Sequence, residues 1–109
     1  MGYLVNGNEL DTDAEGYLLE PDYSREVVEV IAAAEGITLT DDHWKVVDYL
    51  RDEYREHGHT PNFRNMLKGL ADVLPGCDSK SLYDLFPVGP AKQACKIAGL
   101  PQPLGKGGY

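Results

Sequence analysis

The chain has 109 residues, of which 42% are hydrophobic and 26% are charged, and its formal net charge is −8. This length predicts one domain with a single hydrophobic core. The acidic balance disfavours broad binding to nucleic-acid phosphates, and the absence of a long apolar run predicts no membrane insertion. The N-terminus lacks the basic start and apolar stretch of a signal peptide, so we expect a cytoplasmic protein with reduced thiols.

The N-terminal region carries two short β-prone runs, Tyr3-Leu4-Val5 and Tyr17-Leu18-Leu19. Turn-forming residues follow the first run at 6–8 and precede the second run at 13–16. This pattern predicts a small β-hairpin built from the two runs.

Five segments then show helical periodicity together with start or stop residues. Ser24 and Thr40 are expected to cap the first two helices, and Thr60, which precedes Pro61, is expected to cap the third. The predicted helices lie near 25–35, near 41–57, from Thr60-Pro61 to Pro75-Gly76, from Asp78 or Ser79 to the residue before Pro87, and from Gly89-Pro90 to Gly99.

The sequence therefore predicts a mainly α fold over residues 1–99, a small orthogonal bundle of about five helices with an N-terminal β-hairpin. From Leu100 onward, prolines and glycines deny the backbone a regular hydrogen-bonding pattern. We expect residues 100–109 to form a flexible C-terminal arm.

The segment 87–109 differs in charge from the rest of the chain. It contains no Asp or Glu and three cations, Lys92, Lys96 and Lys106, whereas residues 1–86 hold eighteen acidic and seven basic side chains. A cationic segment on an acidic body indicates a surface that docks on a partner. Together with Arg64 in the third predicted helix, these lysines are the expected partner-binding residues.

Cys95 is the candidate catalytic residue. It lies in the last predicted helix, next to Lys96 and three residues after Lys92. Both ammonium groups would favour a thiolate, the form that attacks sulfur or carries it as a persulfide. The negative end of the helix opposes this effect, so we expect no strongly activated thiol. The alternative is a buried cysteine that acts as a small hydrophobic residue.

The second cysteine and the three histidines give weaker indications of a functional site. Cys77 is in a predicted turn beside Asp78, which opposes thiolate formation, and no function is expected for it. His57 and His59 have no metal-site pattern around them, so we expect neither a metal nor a cofactor. His43 is expected to pack or to cap a helix.

The stretch from Thr60 to Phe86 has the outline of a helix-turn-helix. Its cations are Arg64, Lys68 and Lys80, and its aspartates are Asp72, Asp78 and Asp84. A helix that reads DNA needs more donors for bases and phosphates than this segment has. Ordinary packing within the bundle is favoured, and nucleic-acid binding stays open as an alternative.

Five blocks of sequence stand out together: 13–18 (DAEGYL), 39–44 (LTDDHW), 49–54 (YLRDEY), 85–95 (LFPVGPAKQAC) and 98–103 (AGLPQP). They resemble the DsrC/TusE family of small sulfur-relay proteins. This family includes the gamma subunit of dissimilatory sulfite reductase and the TusE carrier of the tRNA 2-thiouridine pathway. The resemblance implies a sulfur carrier or sulfurtransferase that acts as a protein co-substrate, with sulfur-relay or sulfite-reductase-type proteins as partners.

The resemblance also implies a departure from the family pattern. Family members carry sulfur on a cysteine near the tip of the C-terminal arm, and the DsrC type has a second cysteine upstream. Cys95 matches the upstream position, whereas Lys106 matches the tip position. Because a lysine cannot form a persulfide, any sulfur chemistry of this chain falls to Cys95.

Three functions remain open at this point. The first is a sulfur-relay protein that docks on partner enzymes through its arm and last helix. The second is a non-catalytic regulator or competitor that occupies the docking site of a sulfur carrier. The third is a helix-turn-helix-like nucleic-acid-binding regulator, which the acidic balance disfavours. The partner, the pathway and the oligomeric state are not determined by the sequence.

Overall fold

The computed structural model describes residues 2–5, 7–20, 22–61, 63–76 and 78–101. Two antiparallel strands, β1 (Gly2–Val5) and β2 (Asn8–Asp11), precede five helices. The helices are α1 (Arg25–Ala34), α2 (Asp41–His57), α3 (Phe63–Val73), α4 (Ser79–Leu85) and α5 (Pro90–Ile97). The predicted mainly α fold with an N-terminal hairpin is confirmed. None of the helices in the described ranges is long and apolar enough to cross a membrane.

The hairpin is tighter than predicted, and its second strand lies elsewhere. The paired residues are Gly2↔Asp11, Tyr3↔Leu10, Leu4↔Glu9 and Val5↔Asn8. The assignment of Tyr17-Leu18-Leu19 as the second strand was therefore wrong. Gly7 explains the difference, because its φ of +82° lies in the left-handed region that lets a tight turn reverse the chain between Val5 and Asn8. Tyr17 and Leu18 instead enter the core, where Leu18 forms a single bridge with Thr12.

Local capping explains where three of the helices begin. Ser24 Oγ accepts a hydrogen bond from the N–H of Val27 at 3.3 Å at the start of α1. The Asp78 carboxylate accepts one from the N–H of Ser81 at 2.8 Å at the start of α4. At the start of α2, His43 Nδ1 accepts a bond from the N–H of Thr40 at 3.0 Å. These interactions satisfy donors that the first turn of a helix leaves unpaired.

Helix α5 is the centre of the bundle. It contacts each of the other four helices, and six of its eight residues are buried. Its small residues Ala91 and Ala94 are fully enclosed and allow the neighbouring helices to approach closely. Only Lys92 and Lys96 extend from this helix toward solvent. The helix that carries Cys95 is therefore a core element.

Arg51 of α2 fastens the end of α5 to the loop before α1. Its guanidinium is buried and donates hydrogen bonds to the backbone carbonyls of Ala98 (2.9 Å), Tyr23 (2.9 Å), Asp22 (3.2 Å) and Ser24 (2.8 Å). Burial lowers the pKa of Arg51, while the charges of Asp48 and Asp22 oppose this shift. An arginine stays protonated even when it is buried in this way. Its charged guanidinium therefore links the end of α5 to the loop before α1 through hydrogen bonds.

Gly99 brings the C-terminal segment against the same loop. The N–H of Asp22 donates to the Gly99 carbonyl at 2.8 Å. Gly99 has a φ of +77°, and a Cβ at this position would lie 2.5 Å from the Asp22 carbonyl oxygen. Leu100 is fully buried, and Pro101 is the last residue that the structure describes. The predicted arm beyond it, residues 102–109, lies outside the described residues.

Replacing Arg51 tests whether its hydrogen bonds to the backbone stabilise the fold. We expect Arg51→Met to lower the free energy of unfolding by about 3 kcal/mol, because the buried Ala98 carbonyl and three partly buried carbonyls lose a charged donor. Arg51→Lys should recover only part of the loss, because a lysine cannot reproduce the planar fork. Urea unfolding followed by circular dichroism measures both.

Arg55 is the matched control for this substitution. It lies one turn later on α2 and forms an exposed ion pair with Asp52 at 3.3 Å. Arg55→Met should therefore cost less than about 1 kcal/mol. Equal losses for the Arg51 and Arg55 variants would contradict the role assigned to Arg51.

Candidate functional site

Cys95 lies in the last turn of α5, where the C-terminal segment begins. Its side chain is a free thiol and is 0% exposed. Its backbone carbonyl accepts a hydrogen bond from the N–H of Leu100 at 3.1 Å. The residue thus combines a buried sulfur atom with a direct backbone contact to the root of the C-terminal segment.

Burial controls the protonation of this thiol. It raises the pKa of Cys95 to about 12, and the Thr60 hydroxyl opposes the shift. The neighbouring lysines do not contribute to this balance, because their charged groups lie at the surface while Sγ is enclosed. The prediction that the thiol is not strongly activated is confirmed, although burial and not the helix end is the cause.

Thr60 is a site residue that the sequence analysis placed in another role. It was expected to cap α3, but that helix begins at Phe63 and Thr60 precedes it. Thr60 is 7% exposed, and its Oγ1 is buried with no hydrogen-bond partner in the described part of the chain. The hydroxyl lies close enough to Cys95 to affect the pKa of its thiol, but the contact does not reach hydrogen-bond geometry.

Tyr17 is a second residue that interacts electrostatically with Cys95, and the sequence did not indicate this. The Asp13 carboxylate accepts bonds from the N–H groups of Glu15 (2.9 Å) and Tyr17 (3.0 Å), which fixes the turn before Tyr17. Burial raises the pKa of the Tyr17 phenol, and Cys95 is the largest electrostatic contribution after burial. The sequence placed Tyr17 in a predicted strand and in the block 13–18, and neither signal indicated an interaction with Cys95.

The two lysines of α5 have different surroundings. Lys96 Nζ lies 3.7 Å from a Glu35 carboxylate oxygen and 5.3 Å from the centre of the Tyr17 ring. Lys92 is exposed and forms no ion pair among the residues that the structure describes. The charge of Lys96 is therefore compensated within the chain, whereas the charge of Lys92 remains available to a partner.

These lysines line a surface depression of about 140 Å³ to which Tyr17 and Glu35 also contribute. Val88 lies at this depression and is 80% exposed. The side chain of Gln93 accepts a bond from the N–H of Val88 at 3.1 Å and donates to Glu35 at 3.2 Å. The depression thus offers one exposed apolar side chain beside one uncompensated cation, with Tyr17 linking it to the surroundings of Cys95.

The remaining predicted site residues are not brought to this location by the described structure. Arg64 is exposed on α3, and no contact joins it to the depression around Lys92. Lys106 and Cys77 lie outside the described residues. The helix-turn-helix-like stretch forms α3 and the seven-residue α4, and both pack against α5.

The histidines have structural surroundings. His43 Nδ1 accepts bonds from Thr40, so its proton is assigned to Nε2, which donates to the Leu85 carbonyl at 2.9 Å. The predicted capping and packing role of His43 is thereby confirmed. At the exposed end of α2, ligand atoms of Glu53, Glu56 and His57 lie within 4.8 Å of one another. The expectation that no carboxylate stands at metal-site spacing to His57 was therefore wrong. That the protein uses no metal stays a prediction.

The fold and the site define a class: a small helical bundle with a buried free thiol whose backbone holds the root of a C-terminal segment. Residues 4–105 match the family described as DsrC like protein. The sulfurtransferase TusE of Escherichia coli (strain K12) is 46% identical over 104 residues, which cover 93% of this chain and 95% of that protein. The TusE of Yersinia pseudotuberculosis is 48% identical over 101 residues, covering 90% and 94%.

Solved structures agree with these sequence matches. The NMR structure of Allochromatium vinosum DsrC superimposes with a TM-score of 0.84 at 41% identity, covering 93% of each chain. The oxidized gamma-subunit of the dissimilatory sulfite reductase from Archaeoglobus fulgidus has a TM-score of 0.81 at 39% identity, covering 94% of this chain and 97% of that one. The chain belongs to the DsrC-like family, and the resemblance noted in its sequence is confirmed. The family match ends one residue before Lys106.

The buried thiol predicts a loss of stability in alkali. Folding raises the pKa of Cys95 from an ordinary 9.0 to about 12, so the folded chain keeps a proton that the unfolded chain releases. This contribution to stability is complete below about pH 9 and is lost as the pH rises toward about 12. Between about pH 9 and pH 10, the free energy of unfolding should fall by about 1 kcal/mol more in the parent chain than in Cys95→Ala.

Urea unfolding of the two proteins at both pH values measures this difference. The comparison cancels the ordinary titration of tyrosines and of Cys77, which both proteins share. Parallel pH slopes would show that the Cys95 thiol is solvated in the folded chain.

Proposed function

We propose that this chain is a cytoplasmic sulfur-relay protein that docks on sulfur-relay or sulfite-reductase-type proteins and holds sulfur, when it does so, on Cys95. Family membership supports the relay class. The observation that carries the proposal for Cys95 is its free thiol at the root of the C-terminal segment, where its carbonyl binds the N–H of Leu100 at 3.1 Å. The reaction requires no cofactor of this chain.

The chemistry is an exchange of one sulfur atom. The Sγ thiolate of Cys95 attacks the outer sulfur of a donor persulfide, R–S–SH. A bond forms between Sγ and that sulfur, the S–S bond of the donor breaks, and the donor leaves as a thiolate that takes up the proton released by Cys95. The donor is converted to a thiol as Cys95 becomes a persulfide, so no external oxidant or reductant takes part.

Access to Cys95 requires a local opening of the fold. Because Sγ is 0% exposed, a donor can reach it only when the surrounding residues separate. The segment that follows Cys95 is fastened by the bonds of Ala98 with Arg51 and of Gly99 with Asp22. Release of this segment is the motion that we assign to sulfur loading.

The burial of Cys95 also favours a second function. A chain that docks on carrier partners while its thiol stays enclosed would act as a non-catalytic regulator or competitor of a sulfur carrier. Lys106 at the position that the family uses for sulfur supports this alternative. The two functions differ in whether Cys95 accepts sulfur.

Sulfur loading of Cys95 separates the two functions. In a Cys77→Ser background, incubation with glutathione persulfide should add about 32 Da, the mass of one sulfur atom, to the intact protein. The added mass should be absent from the Cys95→Ser variant. Because the reaction proceeds from an opened state, its rate should rise severalfold in urea concentrations below the unfolding transition. A chain that docks normally but never gains mass would favour the competitor.

Docking is tested by capture from a native extract. Full-length chain, a truncation after Leu100 and the Lys92→Glu variant are immobilised, and captured proteins are identified by mass spectrometry. Sulfur-relay or sulfite-reductase-type proteins should bind the full-length chain, and both changes should reduce their recovery about tenfold, because an interfacial cation is removed or reversed. Lys68→Glu, an equivalent change at an exposed lysine of α3, should leave recovery unchanged. Equal recovery on the truncated and the full-length chain would show that the arm takes no part in docking.

A further inference from the structure

The exposed end of α2 holds three metal-ligating side chains that the proposed relay does not use. Glu53, Glu56 and His57 each offer one ligand atom, and these atoms lie within 4.8 Å of one another. His57 Nε2 lies 4.0 Å from a Glu53 carboxylate oxygen. Residues three and four positions apart are neighbours on the surface of a helix, so the backbone of α2 itself brings the three groups together.

The negative charge of this cluster is not balanced by a lysine or an arginine. Arg55 lies between the two glutamates in sequence, but it pairs with Asp52 at 3.3 Å and lies over the ring of Tyr23 at 4.4 Å. Among the described residues, no lysine or arginine forms an ion pair with Glu53 or Glu56. The last turn of a helix also carries the negative end of its dipole, where cations are favourable and carboxylates are not. The end of α2 is therefore a place that favours a bound cation.

The imidazole of His57 indicates which cation fits. Mg²⁺ and Ca²⁺ take oxygen ligands, whereas a mixture of imidazole nitrogen and carboxylate oxygen suits Zn²⁺ and related divalent transition metals. In the described structure, no hydrogen bond occupies the ring nitrogens of His57. A Zn²⁺ ion about 2.1 Å from each ligand would bring the ligand atoms to about 3.4 Å from one another. Rotations of side chains at the surface, without a change of the backbone, are enough to close this distance.

We infer that Glu53, Glu56 and His57 bind one Zn²⁺ ion, or a divalent transition metal of the same class, with water in the remaining position. This inference does not rest on the proposed function, and it contradicts the sequence-based prediction that the chain uses no metal. All three ligands belong to the end of α2, so the metal would link residues one turn apart and stabilise that end. The unfolded chain does not hold the ligands together, so binding should stabilise the fold.

Zinc titration tests the site. The chain is prepared without an affinity tag, in a Cys77→Ser background that removes a competing thiol, and is freed of metal with a chelator. Zn²⁺ is then titrated in competition with a chromophoric zinc indicator, and thermal unfolding is followed by circular dichroism. We expect one Zn²⁺ ion per chain and a rise in Tm of more than about 4 °C at saturating zinc. Mg²⁺ at the same concentration should not raise Tm, because the site includes an imidazole.

Single substitutions identify the ligands. His57→Gln, Glu53→Gln and Glu56→Gln should each weaken zinc binding at least about tenfold, because each removes one of three ligands. Two matched controls remove the same chemical groups elsewhere: His59→Gln removes an imidazole whose centre lies 6.0 Å from that of His57, and Glu29→Gln removes an exposed carboxylate on α1. Both controls should bind zinc within about threefold of the parent, because neither supplies a ligand and exposed groups interact weakly in salt solution.

Three results would overturn the inference. The first is parental zinc affinity in His57→Gln. The second is binding of several zinc ions that none of the three ligand substitutions changes, which is adventitious binding to an acidic surface. The third is a loss in His59→Gln as large as the loss in His57→Gln, because the assigned ligands would then be wrong. None of these measurements involves sulfur on Cys95, so the proposed function would stand if the metal site failed.

Discussion

The hydrogen bonds of Arg51 to the backbone are the constraint on which the C-terminal half of this structure depends. The last carbonyls of a helix have no partner within the helix, and the Ala98 carbonyl at the end of α5 is satisfied by Arg51 Nε. The same guanidinium binds three carbonyls of the loop at 22–24. One side chain of α2 thereby fixes where α5 ends and which loop lies beside that end. The close approach of Gly99 to Asp22 follows from this placement.

The central position of α5 has a chemical consequence for Cys95. A helix that contacts all four of its neighbours cannot present a side chain to solvent except along a narrow strip, and Lys92 and Lys96 occupy that strip. Cys95 faces the core, so its thiol is neutral in the closed fold. Burial protects a sulfur atom on this residue from solvent thiols, but it also means that neither loading nor delivery can occur without opening. The burial of Cys95 is therefore the cause both of the protection of a sulfur atom on it and of the slow exchange of that sulfur.

The sequence predicted the helices and their bounds better than it predicted which residues interact across the fold. Helix bounds followed from caps such as Ser24 and Asp78, because those signals act over a single turn. The second strand was misassigned because β-propensity alone did not show that the chain would reverse between Val5 and Asn8. Arg51 lies between Leu50 and Asp52 in a helix rich in charged residues, and its residue type gave no sign of burial. The electrostatic interactions of Thr60 and Tyr17 with Cys95 join residues that are tens of positions apart along the chain, which periodicity and capping rules do not address.

The location of the surface depression suggests how docking and opening are linked. Tyr17 lines the depression that carries Lys92 and Val88, and it is also an electrostatic neighbour of Cys95. A partner that binds Lys92 and covers Val88 would contact the ring of Tyr17, which belongs to the same hydrophobic core as Cys95. A ligand shifts an equilibrium only through its difference in affinity for the two states. A partner that binds better when Tyr17 has moved would therefore favour the open state, and sulfur on Cys95 would be exposed chiefly in the docked complex. With lysine at position 106, the arm offers no second thiol for sulfur held on Cys95, so in the proposed relay the sulfur would pass directly from Cys95 to the partner.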